Sequence, residues 1–286
     1  MLVYRGSPPG KVFIRTAEPP ERGVHVGCED PYTPELTNLD PDEAELVLEI
    51  LSQRRWESLE LADLYLSKEA SAVIEEAIRT QQAWKRVVVV RTVIEGGMIR
   101  ALIDAVRVSE CLRELTFSSV EISSKQRKKL VRCIAASPVL AELTLDGIGL
   151  KGTELGTLLA GFAVQKSIRV LRLGNNGLRS SGTRVLLHNL SGIKTLRELD
   201  LSGNSIQNRG AIIVGNLVFF LPSLQSLGLS RNHITARGVC YLSQSLSDRR
   251  VMLQTLDLEG NAIGDDGKSF LAEAMKTNTS IHSISL

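Results

Sequence analysis

The sequence lacks long apolar runs and any large excess of charge, and it has few aromatic residues. Aromatic residues make up 4% of the 286 residues, so a core has to be built mainly from Leu, Val, Ile and Ala. The most apolar stretch, residues 211–221, is too short to span a bilayer and contains Asn216. A formal net charge of +2 gives the surface as a whole no strong attraction for nucleic acids or membranes. We therefore predict a globular protein with neither a membrane nor a nucleic acid as its partner.

Cysteines are also few, and their spacing and the N-terminal sequence indicate in which cellular compartment the protein is expected. Four of them are scattered through the chain: Cys28, Cys111, Cys133 and Cys240. Their spacing fits no metal site, which favours reduced structural thiols and a reducing compartment. The N-terminus contains no uninterrupted apolar segment, so no secretory signal peptide is expected. Its early basic residues resemble a mitochondrial presequence, but Pro8 and Pro9 oppose the amphipathic helix of such a segment.

Motifs for catalysis are missing as well. The chain contains no P-loop, no G-x-G-x-x-G fingerprint and no metal-binding motif. The four histidines lie in separate parts of the sequence: His25, His188, His233 and His282. None stands near a Ser or Cys nucleophile with an evident acid. We therefore predict that the protein is not an enzyme and uses no cofactor, no metal and no small-molecule substrate.

An internal repeat of about 28 residues is the main signal in the sequence. The first position of the repeat, its anchor, is apolar in nine copies: Trp56, Trp84, Leu112, Leu140, Ile168, Leu196, Leu224, Leu253 and Ile281. The spacing between successive anchors is constant, except for one additional residue between Leu224 and Leu253. Positions are numbered below by their offset from the anchor. Offsets 3 and 5 are also apolar in every copy, and residues two apart share one face of a β-strand.

The later part of each repeat has a helical period. Offsets 18 and 22 hold apolar pairs such as Leu158 with Phe162, and residues four apart lie on one helix face. Each repeat is thus strand, turn, helix and return, so successive strands are parallel. Strands pack about 4.8 Å apart and helices roughly 8–10 Å apart, so stacked repeats must curve. We predict an α/β solenoid shaped like a horseshoe, with about nine strands in a concave parallel sheet and with convex helices.

The pattern LxxLxLxxNxL, followed by a helix and recurring with this period, resembles the ribonuclease-inhibitor-like leucine-rich repeats. The resemblance covers roughly residues 41–286 and implies the horseshoe fold. It leaves the function open, because members include inhibitors, GTPase activators, innate-immune sensors and axonemal components. We expect an intracellular protein, cytoplasmic or cytoskeleton-associated, with a mitochondrial location as the alternative.

The sequence predicts two parts. Residues 1–35 contain six prolines and no sustained period, which indicates an irregular N-terminal arm or tail with at most one short strand at 12–14. The arm is expected either to be mobile or to dock on another surface. Residues 36–286 are the leucine-rich-repeat domain. Its sequence DPDE at 40–43 has the pattern of an N-cap, a proline at N1 and an acidic first turn, so a capping helix is expected over about 41–54.

The last four full repeats are more regular than the first four. Asn at offset 8 and Gly at offset 14 recur only in the later group: Asn176, Asn204, Asn232 and Asn261, with Gly182, Gly210, Gly238 and Gly267. A buried Asn amide at offset 8 can satisfy backbone groups of the turn. The earlier repeats carry other residues at these two offsets: Leu64, Thr92, Val120 and Ile148, with Ala70, Met98, Gln126 and Glu154. Sequence drift that the stacked repeats tolerate explains the difference, and a surface reshaped to bind a partner is the alternative.

Offsets 2, 4 and 6 of each strand are expected to line the concave face, where eight acids outnumber two bases. The charged candidates for partner binding are Arg86, Glu114, Glu142, Asp146, Arg172, Glu198, Asp200, Asp257 and Glu259. Such a face suits a basic protein surface and not a phosphate backbone. A row of bases at offset 1 flanks these acids: Lys85, Arg113, Arg169 and Arg197. A solvated face of mixed charge is therefore the alternative.

Two apolar candidates and one basic cluster complete the surface features. Val88 and Val90 are expected to point outward from their strand, where they either contact a partner or are covered by the N-terminal arm. One convex helix carries a cluster of bases: Lys125, Arg127, Lys128, Lys129 and Arg132. This cluster can bind acids or phosphates, and a solvated helix face is the alternative.

These features predict a non-catalytic scaffold for protein–protein interactions, or a subunit of a larger assembly, that binds its partner on the concave sheet. The alternative is a regulator that activates a small GTPase, as one branch of the resembled family does. In that role Asn175, Asn176 and Arg231, near the strand ends, would face the GTPase.

Overall fold

A computed structural model describes the chain in the following ranges: 2–3, 12–16, 23–28, 37–39, 58–62, 64–66, 71–72, 75–76, 78–79, 84–93 and 96–286. The chain divides into two compact units, the N-terminal unit Met1–Leu140 and the C-terminal unit Ala141–Leu286. The predicted capping helix over 41–54 lies outside the described residues, so it stays a prediction, as does the domain boundary at 35/36.

In the N-terminal unit, eight strands and two helices are described. The strands are β1 Leu2–Val3, β2 Val12–Thr16, β3 Gly23–Cys28, β4 Thr37–Leu39, β5 Ser58–Ala62, β6 Leu64–Leu66, β7 Arg86–Val90 and β8 Glu114–Ser118. The helices are α1 Gly96–Val108 and α2 Ser124–Ala136. Strands β3, β5, β7 and β8 are parallel neighbours in that order, whereas β1 and β2 join them in antiparallel fashion. A separate parallel pair is formed by β4 and β6.

The C-terminal unit alternates six strands with five helices over its described residues. The strands are β9 Glu142–Asp146, β10 Val170–Arg172, β11 Glu198–Asp200, β12 Ser226–Gly228, β13 Thr255–Asp257 and β14 Ser283–Ser285. The helices are α3 Gly152–Gln165, α4 Arg179–Leu190, α5 Gln207–Phe219, α6 Ala236–Leu246 and α7 Gly264–Thr277. All six strands are parallel, and each pairs with the strand of the next repeat.

Pairing follows the sequence repeat and confirms the predicted α/β solenoid of leucine-rich repeats. Val170 pairs with Glu198, one repeat later, and Ser226 pairs with Thr255 across the repeat that is one residue longer. The ten Leu side chains at offsets 3 and 5 of β9–β13 are at most 1% exposed. Burying one such side chain contributes roughly 1.5–3 kcal/mol, so these two columns stabilise the stack. Helix pairs such as Leu158 with Phe162 are fully buried as well.

The first 35 residues contain more regular structure than the sequence predicted. An irregular arm with at most one short strand was expected, but β1, β2 and β3 lie in this range. β3 is a parallel neighbour of β5, so a strand precedes the first predicted repeat. Val24 pairs with Leu59, which is further along the chain than one repeat, so the period does not reach this strand. Because of that longer spacing, β3 is not part of the repeat pattern in the sequence.

A ladder of asparagine side chains runs through the turns of the C-terminal unit. Each Nδ2 of Asn176, Asn204, Asn232 and Asn261 donates to carbonyl groups at the ends of its own strand and of the preceding strand. Each Oδ1 accepts a backbone N–H from the preceding repeat, as in Leu150 N–H to Asn176 at 2.9 Å. The amide group of one Asn side chain therefore forms hydrogen bonds with backbone groups of two turns, as the sequence predicted.

In the N-terminal unit, Thr92 makes some of the hydrogen bonds that an asparagine makes at the same offset of the later repeats. Its hydroxyl lies 3.2 Å from the carbonyl oxygen of Leu61 and 2.8 Å from that of Val90, and its side chain is 1% exposed. A threonine hydroxyl has one hydrogen to donate, while an Asn amide has two hydrogens and an acceptor oxygen. At the same offset, Val120 is a buried apolar side chain. At offset 8, Thr92 and Val120 thus offer the backbone groups of their turns fewer side-chain hydrogen bonds than the asparagines do.

The residue at offset 14 lies near the start of the helix, where the repeats differ in their contacts. In the regular repeats the glycine lies against the buried side chain four residues earlier, and an added Cβ on Gly210 would be 2.3 Å from Cγ2 of Ile206. In two of the repeats without this glycine, a side chain at offset 14 caps the helix instead, through a capping box in α2 and through its glutamate half alone in α3. The Glu154 carboxylate accepts the backbone N–H of Lys151 at 2.9 Å, and Gln126 pairs reciprocally with Ser123.

The additional residue of the longer repeat lies in the return segment between α6 and β13. Asn278, which is 2% exposed, holds this segment by donating to the carbonyl oxygens of Leu246, Asp248 and Val251. Hydrogen bonds from Arg250 lower the pKa of Asp248 to about 2. The same guanidinium lies 5.8 Å from the ring centre of Phe219. The additional residue thus lies in a loop that the hydrogen bonds of Asn278 hold in place, and the register between β12 and β13 is unchanged.

Candidate interaction surface

The candidate site is the open face of the sheet, defined here as the strand side chains at offsets 2, 4 and 6. These side chains are half-buried or exposed in most strands, whereas the described residues at offsets 3 and 5 are buried in every repeat before the last one. Alternation follows from the pleat, because successive side chains of a strand point to opposite faces. The predicted charged residues lie on this face, but they divide between the two units, which are therefore described separately.

In the N-terminal unit, Arg86 joins two carboxylates from neighbouring strands. Its Nε donates to Glu114 Oε1 at 2.9 Å, and its Nη1 donates to Glu60 Oε2 at 3.1 Å. Burial alone would lower the pKa of Arg86, but hydrogen bonds and charge interactions with Glu60 and Glu114 raise it above its usual value. Arg86 therefore pairs with both acids, and the three side chains together carry a net charge of −1.

Val88, which was expected to point outward together with Val90, is buried. Its side chain is 5% exposed, whereas Val90 is half-buried. Val88 lies in register between Glu60 on β5 and Thr116 on β8. Because neighbouring strands are only about 4.8 Å apart, a short side chain in a central strand is shielded by the residues on both sides. Val88 is thus a poor candidate for a direct contact with a partner.

The open face of the C-terminal unit is strongly acidic. It carries six carboxylates and one guanidinium: Glu142, Asp146, Glu198, Asp200, Asp257 and Glu259, with Arg172. Arg172 Nε donates to Glu198 Oε1 at 2.6 Å, and Asn175 donates to Asp146 at 2.8 Å. Among the described residues, no cation forms an ion pair with Asp200 or Asp257. An excess of unpaired negative charge therefore remains on this face.

A depression of about 200 Å³ lies between the two unpaired aspartates. Gly228 forms part of its floor and pairs in register with Asp200 on one side and with Asp257 on the other. Ser202, Ser226 and Ser283 are among the hydroxyl side chains of its lining. Asp200 Oδ1 accepts the backbone N–H of Ser202 at 2.9 Å, and Asp257 Oδ1 accepts that of Glu259 at 2.9 Å, which orients both carboxylates. The lining suits a positively charged side chain with several hydrogen-bond donors.

Gly228 lines this space, and Gly174 has the same relation to an acid outside the depression. A Cβ on Gly228 would be 2.4 Å from Asp200 Oδ1, and a Cβ on Gly174 would be 2.5 Å from Asp146 Oδ1. In each case the acid of the preceding repeat lies over the glycine. A glycine within a strand often marks the close approach of another group, so the residue type at position 228 was an available signal.

The described residues also bear on metal binding, on thiol chemistry and on membrane insertion. They contain no group of three His, Cys, Asp or Glu side chains placed to hold a metal ion. Burial raises the pKa of the Cys133 thiol, although Lys129 and Arg107 act in the opposite direction. A protonated thiol is a weak nucleophile. None of the helices in the described ranges combines the length and the apolar character needed to cross a membrane.

The three residues that would face a GTPase in the alternative function lie in turns, where two of them form hydrogen bonds within the chain. Asn176 is 9% exposed and belongs to the asparagine ladder. Asn175 donates to Asp146 and adopts a left-handed conformation with φ of 53°. Arg231 is exposed and also left-handed, with φ of 52°. No arrangement of these three side chains favours the GTPase role over simple turn formation.

Comparisons with known proteins support the repeat architecture. The family model described as Leucine Rich repeat matches residues 192–212, 220–243 and 251–272. These matches lie in the regular repeats of the C-terminal unit, and the ribonuclease-inhibitor-like subtype stays a prediction. No curated protein matches the sequence.

Two of the solved structures that are similar to this chain have low sequence identity to it. A TLR13 chain, solved in complex with ssRNA13, is 15% identical, with 87% of this chain and 34% of that chain covered and a TM-score of 0.49. The tropomodulin C-terminal domain from Caenorhabditis elegans is 16% identical, with 73% and 93% covered and a TM-score of 0.36. The chain thus spans about a third of the length of the TLR13 chain.

Proposed function

We infer that this chain, a leucine-rich-repeat protein, is a non-catalytic scaffold that binds a basic segment of a protein partner on the open face of its C-terminal unit. Repeat arrays present extended surfaces of this kind, and leucine-rich-repeat domains are typically interaction modules. The observation that carries the proposal is the pair of unpaired carboxylates, Asp200 and Asp257, on either side of the depression at Gly228.

Spacing and charge together favour a Lys or Arg side chain between the two acids. Strands lie about 4.8 Å apart, so two residues separated by one strand are roughly 10 Å apart at their Cα atoms. A cation seated over Gly228 can therefore approach both carboxylates. Ion pairs of this kind increase the rate of association and select the partner, since a surface of the wrong sign is repelled.

Free cysteines are compatible with a reducing compartment. Cys111, Cys133 and Cys240 carry no disulfide bond and are each partly accessible. We propose an intracellular location, cytoplasmic or cytoskeleton-associated, for the scaffold.

The proposal is tested by capturing partners from a native lysate with the wild type and with Asp200→Asn/Asp257→Asn. This change removes both charges and keeps the shape of each side chain and one of its two acceptor oxygens. We expect the amount of a saturable partner to fall at least tenfold, because losing one member of a charge pair that is buried and hydrogen-bonded in a complex costs about 2–5 kcal/mol. The same complex is expected to dissociate as the NaCl concentration rises.

A matched control removes two acids from α7, away from the open face, in Asp266→Asn/Glu273→Gln. Both side chains are exposed, and the control has the same net charge as the test variant. The control should retain the partner fully. Equal capture by the test variant and the wild type, with both proteins folded, would contradict the proposal.

A further inference from the structure

A second charged surface of opposite sign lies on the helices of the N-terminal unit. Helices α1 and α2 pack side by side, and six exposed cations lie on them: Arg100, Arg107, Lys125, Lys128, Lys129 and Arg132. Asp104 is the single acid in the two helices. We call these six cations the basic helix face. Among the described residues, no ion pair joins Arg100, Lys125, Lys128 or Arg132 to an acid.

Positions within the helices arrange these cations in two rows. Lys125, Lys128 and Arg132 follow one another at intervals of three and four residues, so they share one side of α2. Arg100 and Arg107 are seven residues apart on α1. With a rise of about 1.5 Å per residue, each row spans about 10 Å. The two rows lie on neighbouring helices, which Asp104 and Lys129 join by an ion pair.

Helix stability does not explain this placement. The N-terminus of a helix carries the positive end of its dipole, where acidic side chains stabilise it and basic ones oppose it. The first turn of α2 nevertheless contains no acid, and Lys125 and Lys128 lie near that end. The dipole therefore adds to the positive potential of the basic helix face instead of reducing it.

Asp104 shows how cations of the two helices bind one carboxylate. Its Oδ1 lies 3.2 Å from Nζ of Lys129 on α2 and 3.5 Å from Nη2 of Arg107 on α1. One carboxylate thus bridges a cation from each helix, and its side chain remains 31% exposed. The other four cations of the basic helix face form no such ion pair within the described part of the chain.

We propose that the basic helix face docks an acidic amphipathic helix of a partner protein. Such a helix repeats its carboxylates at intervals of three and four residues and so presents them at the spacing of the two rows. A nucleic acid would be expected to stack bases on aromatic side chains, and α1 and α2 contain none. A membrane surface would be expected to take up exposed large apolar side chains, of which the two helices have only Val108.

The test uses two labelled synthetic peptides of identical length and composition, each long enough to form a helix of about five turns. One places all its Glu residues on a single helix face, and the other distributes them around the helix. Fluorescence anisotropy with the full-length protein is expected to give a Kd at least about tenfold lower for the one-faced peptide, since the matched charge pairs form only there. Lys128→Glu/Arg132→Glu should weaken its binding by at least about tenfold, and Lys128→Gln/Arg132→Gln by a smaller factor.

The control Arg184→Glu/Arg209→Glu makes the same change in net charge at two exposed helix positions of the C-terminal unit, and it should bind like the wild type. Circular dichroism melting establishes that each variant is folded. Equal affinity for both peptides, or equal loss in the control, would overturn the proposal. It would also be overturned if the wild type bound vesicles of mixed phosphatidylcholine and phosphatidylserine but not the one-faced peptide. Because the open-face residues are unchanged in all these variants, failure here leaves the proposed scaffold function untouched.

Discussion

Replacing Asn204 with alanine is expected to lower the free energy of unfolding by about 3–5 kcal/mol, because each buried polar group left without a partner costs roughly 1–3 kcal/mol. The side chain is 1% exposed and takes part in five hydrogen bonds. The bonds connect it to backbone groups of Leu173, Asn176, Leu178, Leu201 and Ser202. Alanine supplies none of them, and water cannot readily reach the groups that remain.

Urea unfolding of the full-length protein measures this loss as a shift of the midpoint at constant slope. Asn216→Ala is the matched control, since Asn216 is exposed on α5. Alanine is the better helix former, so this variant should be as stable as the wild type or slightly more stable. A loss of less than about 1 kcal/mol for Asn204→Ala would mean that the asparagine ladder is not a main source of stability.

Gly210→Ala is expected to destabilise the protein by about 1–3 kcal/mol, although alanine is normally favoured over glycine in a helix by about 1 kcal/mol. The new Cβ would be 2.3 Å from Cγ2 and 2.7 Å from Cβ of Ile206. Ile206 is itself 1% exposed, and its branched side chain has no free space to move into. Thermal unfolding of the variant measures the effect as a lower Tm.

Gly152→Ala provides the control for this second result. Gly152 is the first residue of α3, is exposed, and an added Cβ would meet no atom within 4 Å. The substitution should raise the stability by up to about 1 kcal/mol, because alanine loses less backbone freedom on folding. If both substitutions changed the Tm in the same direction, contact with Ile206 would not be the reason for glycine at offset 14.

Repeat positions could be predicted from the sequence because each of them is fixed by burial. Leu199 and Leu201 lie two residues apart and both face the core, so their columns locate the strand and set its register with the next repeat. The same columns predicted that Asn204 and its equivalents are buried in the turns. These inferences need only the periods of strands and helices.

Features outside the repeat period were not accessible in the same way. β3 pairs with β5 at a separation longer than one repeat, so no column leads to it. The burial of Val88 depends on the size of its neighbours in adjacent strands rather than on its own position in the pleat. The depression at Gly228 arises from one missing side chain beneath the Asp200 carboxylate, which a count of charges on the face does not detect.

The central claim, that the open face of the C-terminal unit binds the partner, is tested most directly by carboxylate labelling of the captured complex. Carbodiimide coupling to a small amine, read out by mass spectrometry, reports the accessibility of each acid with and without the partner. We expect Asp200 and Asp257 to be strongly protected in the complex, and Asp266 and Glu273 on α7 to react as they do in the free protein. Unchanged labelling of Asp200 and Asp257, with protection on α7 instead, would contradict the claim and place the partner on the helices.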